Sequence, residues 1–183
     1  FNRLGYTTRR VTAIVAVCES IKRGLVRQRV DPAKIEVIYS GTDTERFHPG
    51  VNGRGIRREL GLAPEHFLIT QIGIRSWKGN DDVLDAMAKI APRLPQARLL
   101  FVGASEAKAA ILREKAAARD LGDLVSVFLF REDVPEILAA SDVTVDASYA
   151  GLGLTGTLRE SLAVGTPVEG VGTEHPVDVA VRL

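Results

Sequence analysis

The sequence predicts an α/β fold, a parallel sheet flanked by helices, and three observations carry that prediction. Apolar blocks of strand length alternate with segments of helical periodicity along the whole chain. The longer helical segments run to about ten to eighteen residues, the pattern of repeated βα units. Each stretch with ligand-binding chemistry stands directly after a predicted strand, at the carboxyl end where open parallel sheets bind their ligands.

Taken in order, VTAIVAV (11–17) is a β-branched run that reads as a buried strand, followed by Cys18-Glu19-Ser20 and a helical pattern to about Gln28. Asp31-Pro32 breaks that helix, and KIEVIY (34–39) is the next strand. SGTDTERFHPG (40–50) is turn chemistry, in which Asp43 and Glu45 read as hinge and cap residues. A short helix near 53–60 precedes the strand HFLITQIG (66–73), which feeds into IRSWKGN. DDVLDAMAKIAPRL (81–94) has apolar residues at helical spacing, with Asn80 or Asp81 as its N-cap. ARLLFVG (97–103) is a strand, and SEAKAAILREKAAARDLG (105–122) is an alanine-rich helix with Gly122 as its C-cap. Then come a strand over 124–130, a helix over 134–140 and a strand over 142–148. The glycine-rich run GLTGTLRESLAVG (153–165) leads into a short amphipathic helix, and TPVEGVG (166–172) is the last strand.

Composition excludes several classes. A hydrophobic fraction of 45% and a charged fraction of 26% are those of an ordinary globular protein. A net charge of +1 argues for neither nucleic acid nor an anionic membrane surface as a partner, and no nucleic acid is expected. No apolar run approaches the roughly 20 residues of a membrane span, and no signal-peptide pattern is present. The single cysteine, Cys18, fits a reducing compartment and reads as inert packing. His48 and His66 lack Cys or His partners at metal spacing, so no zinc site is expected. The start at FNRLGYTTRR and the stop inside an apparent helix read as those of a fragment.

Two features carry chemistry. A glycine-rich lead into a helix N-terminus presents free N–H groups and the positive end of the helix dipole, which suits an anion. Lys78 follows a strand end, where its ammonium can neutralise a diphosphate as a point charge; the alternative is an exposed loop lysine. Thr157 and Glu160 have the spacing of a capping box. Trp77 either packs or stacks on a ring.

Three stretches, in order and at matching spacings, resemble retaining glycosyltransferases of the GT-B fold, family 4. IEVIYSGTDTERFHPG resembles the interdomain stretch with its pattern close to G-V-D-x-x-x-F-x-P. IGIRSWKGNDDVLDAMAKIAPRLPQARLLFVG is similar to the family's strand, lysine-glycine loop, helix and next strand. VPEILAASDVTVDASYAGLGLTGTLRESLAVGTPV resembles its distal glycine-rich loop, acidic helix and G-x-P-V strand. The resemblance implies a Rossmann-like C-terminal, donor-binding domain over residues 41–183, lacking its last strand and helices. Residues 1–40 would be the tail of the N-terminal, acceptor-binding domain and the interdomain link.

What the resemblance implies for function follows residue by residue. The donor substrate is a nucleotide-diphosphate sugar, with no cofactor; the acceptor, a sugar, lipid-linked sugar or small molecule, stays open. The intact enzyme is a cytoplasmic protein of polysaccharide or glycolipid biosynthesis, peripheral to the membrane if the acceptor is a lipid, and this piece alone is expected to be inactive. Lys78, Arg75 and Glu160 are the catalytic set, with Glu160 either bonding the donor's ribose hydroxyls or serving the capping box. Gly73, Gly79, Arg131, Glu132, Asp133, Gly151, Gly153, Gly156, Thr157 and Leu158 are implied to hold the nucleotide and its phosphates. Arg131, Glu132 and Asp133 sit where the family contacts the base, often through backbone atoms; the plain alternative is a solvated loop.

The chain departs from the family pattern at three places. The arginine common five residues before the lysine is Gly73 here, with Arg75 three before it. The first acidic residue of E-x7-E falls on Leu152, or on Ala150 if the alignment is anchored on GLGL. His175 stands in GTEHP where the family has G-G-x-P-E. Two other readings remain open, a sugar-nucleotide epimerase of the same fold and a nucleotide-binding module that has lost catalysis. A dehydrogenase is a poor fit, because no G-x-G-x-x-G follows the first strand.

Overall fold

Strands that run parallel and are buried on both faces read as near-continuous apolar runs, and LLFV (99–102) is such a run. In the computed structural model, which describes residues 3–8, 10–149 and 155–170, the chain divides into a smaller unit built on residues up to Gly41 and a larger one that begins at Thr42.

The smaller unit contains α1 (Arg3–Thr7), β1 (Ile14–Ala16), α2 (Glu19–Arg27) and β2 (Ile35–Val37). β1 and β2 pair in parallel with Ile14 opposite Ile35, and Ile14, Ala16, Leu25, Val30 and Ile35 form their core. The strand is shorter than VTAIVAV predicts, its pairing with β2 running only from Ile14 to Ala16, and it is buried on one face: Ile14 and Ala16 are buried while Val15 is exposed. Cys18 is not buried in that strand; it is half-buried, at the residue before α2.

The larger unit runs α3 (Arg54–Glu59), β3 (Phe67–Ile72), α4 (Asn80–Ile90), β4 (Ala97–Ala104), α5 (Glu106–Ala117), β5 (Val125–Leu129), α6 (Val134–Ala140), β6 (Val143–Asp146), α7 (Gly156–Val164) and β7 (Val168–Gly170). Its five strands pair in parallel in the order β5-β4-β3-β6-β7. The chain therefore steps outward from β3 to β5, then crosses back to β6 on the other side of β3. That reversal makes the β3/β6 boundary the topological switch point, where an open α/β sheet has its ligand crevice.

The predicted α/β class holds, with a core on each face of the sheet. Leu99 and Phe101 of β4 join Leu84 and Met87 of α4 and Leu112 of α5 on one face. Leu100 and Val102 meet Ile56 of α3 and Ile137 of α6 on the other. Hydroxyls buried between the layers are paired: Thr70 with Ser141 at 2.7 Å and Thr144 with Ser161 at 2.6 Å.

Three predicted helix ends move. The N-cap of α4 is Gly79, in the left-handed conformation, rather than Asn80 or Asp81. α5 closes at Asp120, not Gly122: Asp120 takes φ 57°, Leu121 N–H donates to Ala116 and Asp120 N–H to Ala117, the two bonds of a Schellman motif. A short polar aspartate tolerates that conformation, so Gly122 is left to open a 3₁₀ turn. α7 starts at Gly156, which puts Thr157 inside the helix, so the predicted Thr157–Glu160 capping box does not form its N-terminus.

Candidate functional site

Two loops leave the sheet side by side at the switch point, residues 73–79 between β3 and α4, and the loop that follows β6. The first is shaped by its glycines and by a buried glutamine. Gly73 has φ 92° and its N–H donates to Val102 at 2.8 Å. Gln71, fully buried in β3, donates from Nε2 to the Lys78 carbonyl at 2.6 Å and accepts from Asn80 Nδ2 at 2.9 Å. The loop is thereby held from below on both sides of Gly79. Lys108 Nζ adds a bond to the Ile74 carbonyl at 2.9 Å.

The two loops are locked to each other. A Cβ on Gly79 would lie 2.2 Å from the Ala147 carbonyl oxygen, so only glycine admits this approach. Tyr149 N–H donates to the Trp77 carbonyl at 2.8 Å, and the Tyr149 hydroxyl bonds Asp82 of α4. That bond to the carboxylate raises the Tyr149 pKa above the ordinary tyrosine value.

Within this pair of loops Lys78 Nζ donates to Asp146 Oδ2 at 2.8 Å, with side chains only 14% and 7% exposed. Asp146 is the last residue of β6, and its Oδ1 accepts from both the N–H and the hydroxyl of Ser148. Asp146 and Ala147 also line an apolar cavity of about 350 Å³ with Ile69, Val83, Met87 and Val145. Sequence reasoning passed over Asp146 and Gln71. The available signal was a carboxylate and an amide inside largely apolar strand segments, since such groups are seldom buried unless paired.

The other predicted residues divide by position. Arg75 is exposed and lies over the Trp77 ring, 5.5 Å from its centroid, a cation–π pair. Gly156, Thr157 and Leu158 form the first turn of α7, and Glu160 Oε1 would stand 3.9 Å from a Cβ placed on Gly156. The Glu160 carboxylate is thus near the start of its own helix. Gly151 and Gly153, with Ala150, Leu152 and His175, lie outside the described residues.

Arg131, Glu132 and Asp133 follow β5 on the same edge of the sheet, two strands from β3 and so about 10 Å along it. Arg131 is engaged within the protein. It bonds both Asp133 oxygens at 2.8 and 2.6 Å and both Glu59 oxygens at 2.7 and 3.1 Å, and lies over the Phe128 ring. These bonds raise the Arg131 pKa, and the bond from Arg131 holds the Asp133 carboxyl below the ordinary aspartate value. The Glu132 carbonyl accepts from Arg46, and Phe130 beside it is 79% exposed. Asp43 does act as a cap, accepting from the N–H groups of Glu45 and Arg46. Among the described residues no group of three or more His, Cys, Asp or Glu side chains is arranged to hold a metal ion, and no helix is long and apolar enough to cross a membrane.

Comparison with known proteins follows the same division of the chain. Residues 1–46 match a family model described as Glycosyltransferase Family 4. The D-inositol 3-phosphate glycosyltransferase of Mycobacterium marinum is 32% identical over 163 residues, covering 85% of this chain and 34% of the relative. The UDP-Gal:alpha-D-GlcNAc-diphosphoundecaprenol alpha-1,3-galactosyltransferase of Escherichia coli is 32% identical over 144 residues, covering 75% and 36%. The chain thus spans about a third of the length of these curated relatives. Among solved structures, a glycosyltransferase from Rickettsia africae aligns with a TM-score of 0.82 at 21% identity, over 92% of this chain and 47% of the other. Anabaena Alr3699/HepE in complex with UDP-glucose aligns with a TM-score of 0.80 at 21% identity, over 93% and 49%. Those two likenesses are of fold. Residues 54–176, more than half of the 183, match the model of glycosyl transferases group 1, and the chain belongs to that family.

Proposed function

We propose that the chain is the donor-binding part of a retaining glycosyltransferase that moves a sugar from a nucleotide diphosphate to an acceptor. Residues up to about 40 belong, in this reading, to the acceptor-binding domain. The observation that carries it is the position of Lys78, at the carboxyl end of β3 on the switch-point boundary with β6. Family membership supports it, and so does the fold shared with the Anabaena protein, whose crystals contain UDP and UDP-glucose. UDP is therefore the first nucleotide to try.

The chemistry is electrostatic. As the bond between sugar and diphosphate breaks, negative charge grows on the leaving group. Lys78, Arg75 and the N–H groups that open α7 at Gly156, Thr157 and Leu158 stabilise that charge. Glu160 accepts from the ribose hydroxyls, and the loop at Arg131, Glu132 and Asp133 meets the base through backbone atoms. Leu152 and Ala150 supply no carboxylate for the transferred sugar, so its hydroxyls are recognised differently from those in relatives with E-x7-E.

Calorimetric titration of the chain with UDP, GDP and ADP tests this reading. One diphosphate binds, and Lys78→Ala weakens it by about 1.5–3 kcal/mol, the size of a charge-assisted hydrogen bond. Absence of binding by all three to a folded chain overturns it.

A further inference from the structure

Asp146 has no part in the site just described, although it is the ion-pair partner of the lysine on which that site depends. We propose that Asp146 is the internal counter-ion of Lys78: it fixes the ammonium at the switch point and restrains the affinity for a diphosphate bound there. The proposal rests on the donor-site reading and deepens it.

The argument begins with the lysine stem. A free lysine side chain has four rotatable bonds and loses nearly 2 kcal/mol of rotamer freedom when it is fixed. Here both ends are already fixed. Gln71 holds the Lys78 carbonyl at 2.6 Å, Gly79 sits against Ala147, and Asp146 holds the ammonium at 2.8 Å. Asp146 is itself held, because the N–H and hydroxyl of Ser148 occupy its other oxygen. The lysine is therefore set before any ligand arrives, which removes an ordering cost from binding.

The same carboxylate has an electrostatic consequence. An ammonium carries three donors, and Asp146 Oδ2 takes one, so the remaining two can serve phosphate oxygens. The pair as a whole is neutral, however, and an incoming diphosphate meets a carboxylate next to the cation that attracts it. The pair is largely shielded from solvent, with side chains 14% and 7% exposed, which strengthens charge interactions relative to water. A buried ion pair is weak evidence of added stability, since apolar residues of similar volume do as well. Placement beside the switch-point crevice gives this one a different use. It lowers the grip on nucleoside diphosphate, which is bound both as part of the donor and as the released product. Uniform tightening of those states would not raise turnover.

Asp146→Asn and Asp146→Glu, with Asp146→Ser as a smaller neutral variant, are titrated with UDP, GDP, ADP and inorganic pyrophosphate after thermal melts confirm that each is folded. In parallel, acetylation of Lys78 by an amine-directed reagent is followed by mass spectrometry. The counter-ion role predicts that folded Asp146→Asn, whose amide oxygen still accepts from the ammonium and keeps it in place, binds UDP about tenfold tighter, the scale of removing one nearby like charge, and that Asp146→Ser, with a shorter reach, tightens it less. Lys78 labels several-fold faster in the Asn variant, and Asp146→Glu, which keeps the charge, shows no tightening. A residue that merely supports the loop behaves in the opposite way, and unchanged or weaker binding by folded Asp146→Asn, or by Asp146→Ser should Asn not fold, overturns the proposal. If no nucleotide or pyrophosphate binds any variant, the donor-site reading fails. The labelling then decides the pair separately: faster labelling of Lys78 sustains it, and an unchanged rate overturns it.

Discussion

The side-chain amide of Gln71 donates to the Lys78 carbonyl at 2.6 Å from a position in β3 that solvent does not reach, and its oxygen accepts from Asn80 at 2.9 Å. One residue thus joins the central strand to both sides of the lysine-glycine turn. A parallel strand buried on both faces would ordinarily place an apolar residue there. The polar choice is explained by the two backbone and side-chain groups of the turn that need partners.

Replacing that amide separates its hydrogen bonds from its bulk. Gln71→Leu leaves the Lys78 carbonyl without its buried donor, at a cost of about 1–3 kcal/mol. Gln71→Glu has the same shape but cannot donate from a carboxylate, so it is expected to lose at least as much. Urea denaturation of the two variants gives the stability changes, and calorimetry with UDP gives the effect on Lys78. A Leu variant as stable as the parent chain would show that the turn is held by packing instead.

The approach of Gly79 to Ala147 makes a sharper prediction. Gly79→Ala puts a carbon 2.2 Å from a backbone oxygen at φ 62°, so the two loops must separate for it to fit. The loss is expected to exceed about 2 kcal/mol, more than the left-handed backbone alone costs. Gly73→Ala is the matched control. Its φ of 92° is also positive, but the nearest atom is the flexible Lys78 Cε at 3.7 Å, so only the conformational cost applies. Equal midpoints for the two variants in denaturant would contradict the locking of the loops.

Much of this was legible in the sequence, and each exception has its own physical cause. ARLLFVG, VPEILAA and the glycine at 165 announce a strand, a helix and a helix end through local signals: apolar runs, helical spacing and backbone freedom. Lys78, Gly73 and Gly79 were legible because a turn after a strand marks them. Asp146 was not, because its partner lies 68 positions away and nothing in DVTVDAS states that a lysine will face it. Gln71 was hidden although its partners, Lys78 and Asn80, lie only seven and nine positions on, because a lone amide in a strand does not state that the following turn folds back beneath it. Gly122 misled because Asp120, two residues earlier, takes the left-handed position that glycine usually fills. Thr157 misled because a capping-box spacing fits any register, and the first helical hydrogen bonds decide which one forms.

Arg131 offers a test of how the base-side loop works. Its guanidinium makes four hydrogen bonds, two to Asp133 and two to Glu59, and covers the Phe128 ring, so little of it is left for a ligand. The bond from Arg131 holds the Asp133 carboxyl below the ordinary aspartate value. A depressed carboxylate contributes stability that is full above the unfolded value and is lost as pH falls through the folded one. The parent chain should therefore lose stability on acidification below about pH 4 more steeply than Arg131→Met, in which Asp133 titrates near its unfolded value. At neutral pH the same substitution destabilises the chain, while on the donor-site reading proposed above UDP affinity stays within about twofold, because the base would meet backbone groups and the Glu132 carbonyl keeps its bond from Arg46. Thermal melts from pH 3 to pH 7 and one calorimetric titration check both halves. A Met variant with parental acid sensitivity would remove Asp133 as the responsible group, and a large loss of UDP affinity would assign the guanidinium itself to the nucleotide.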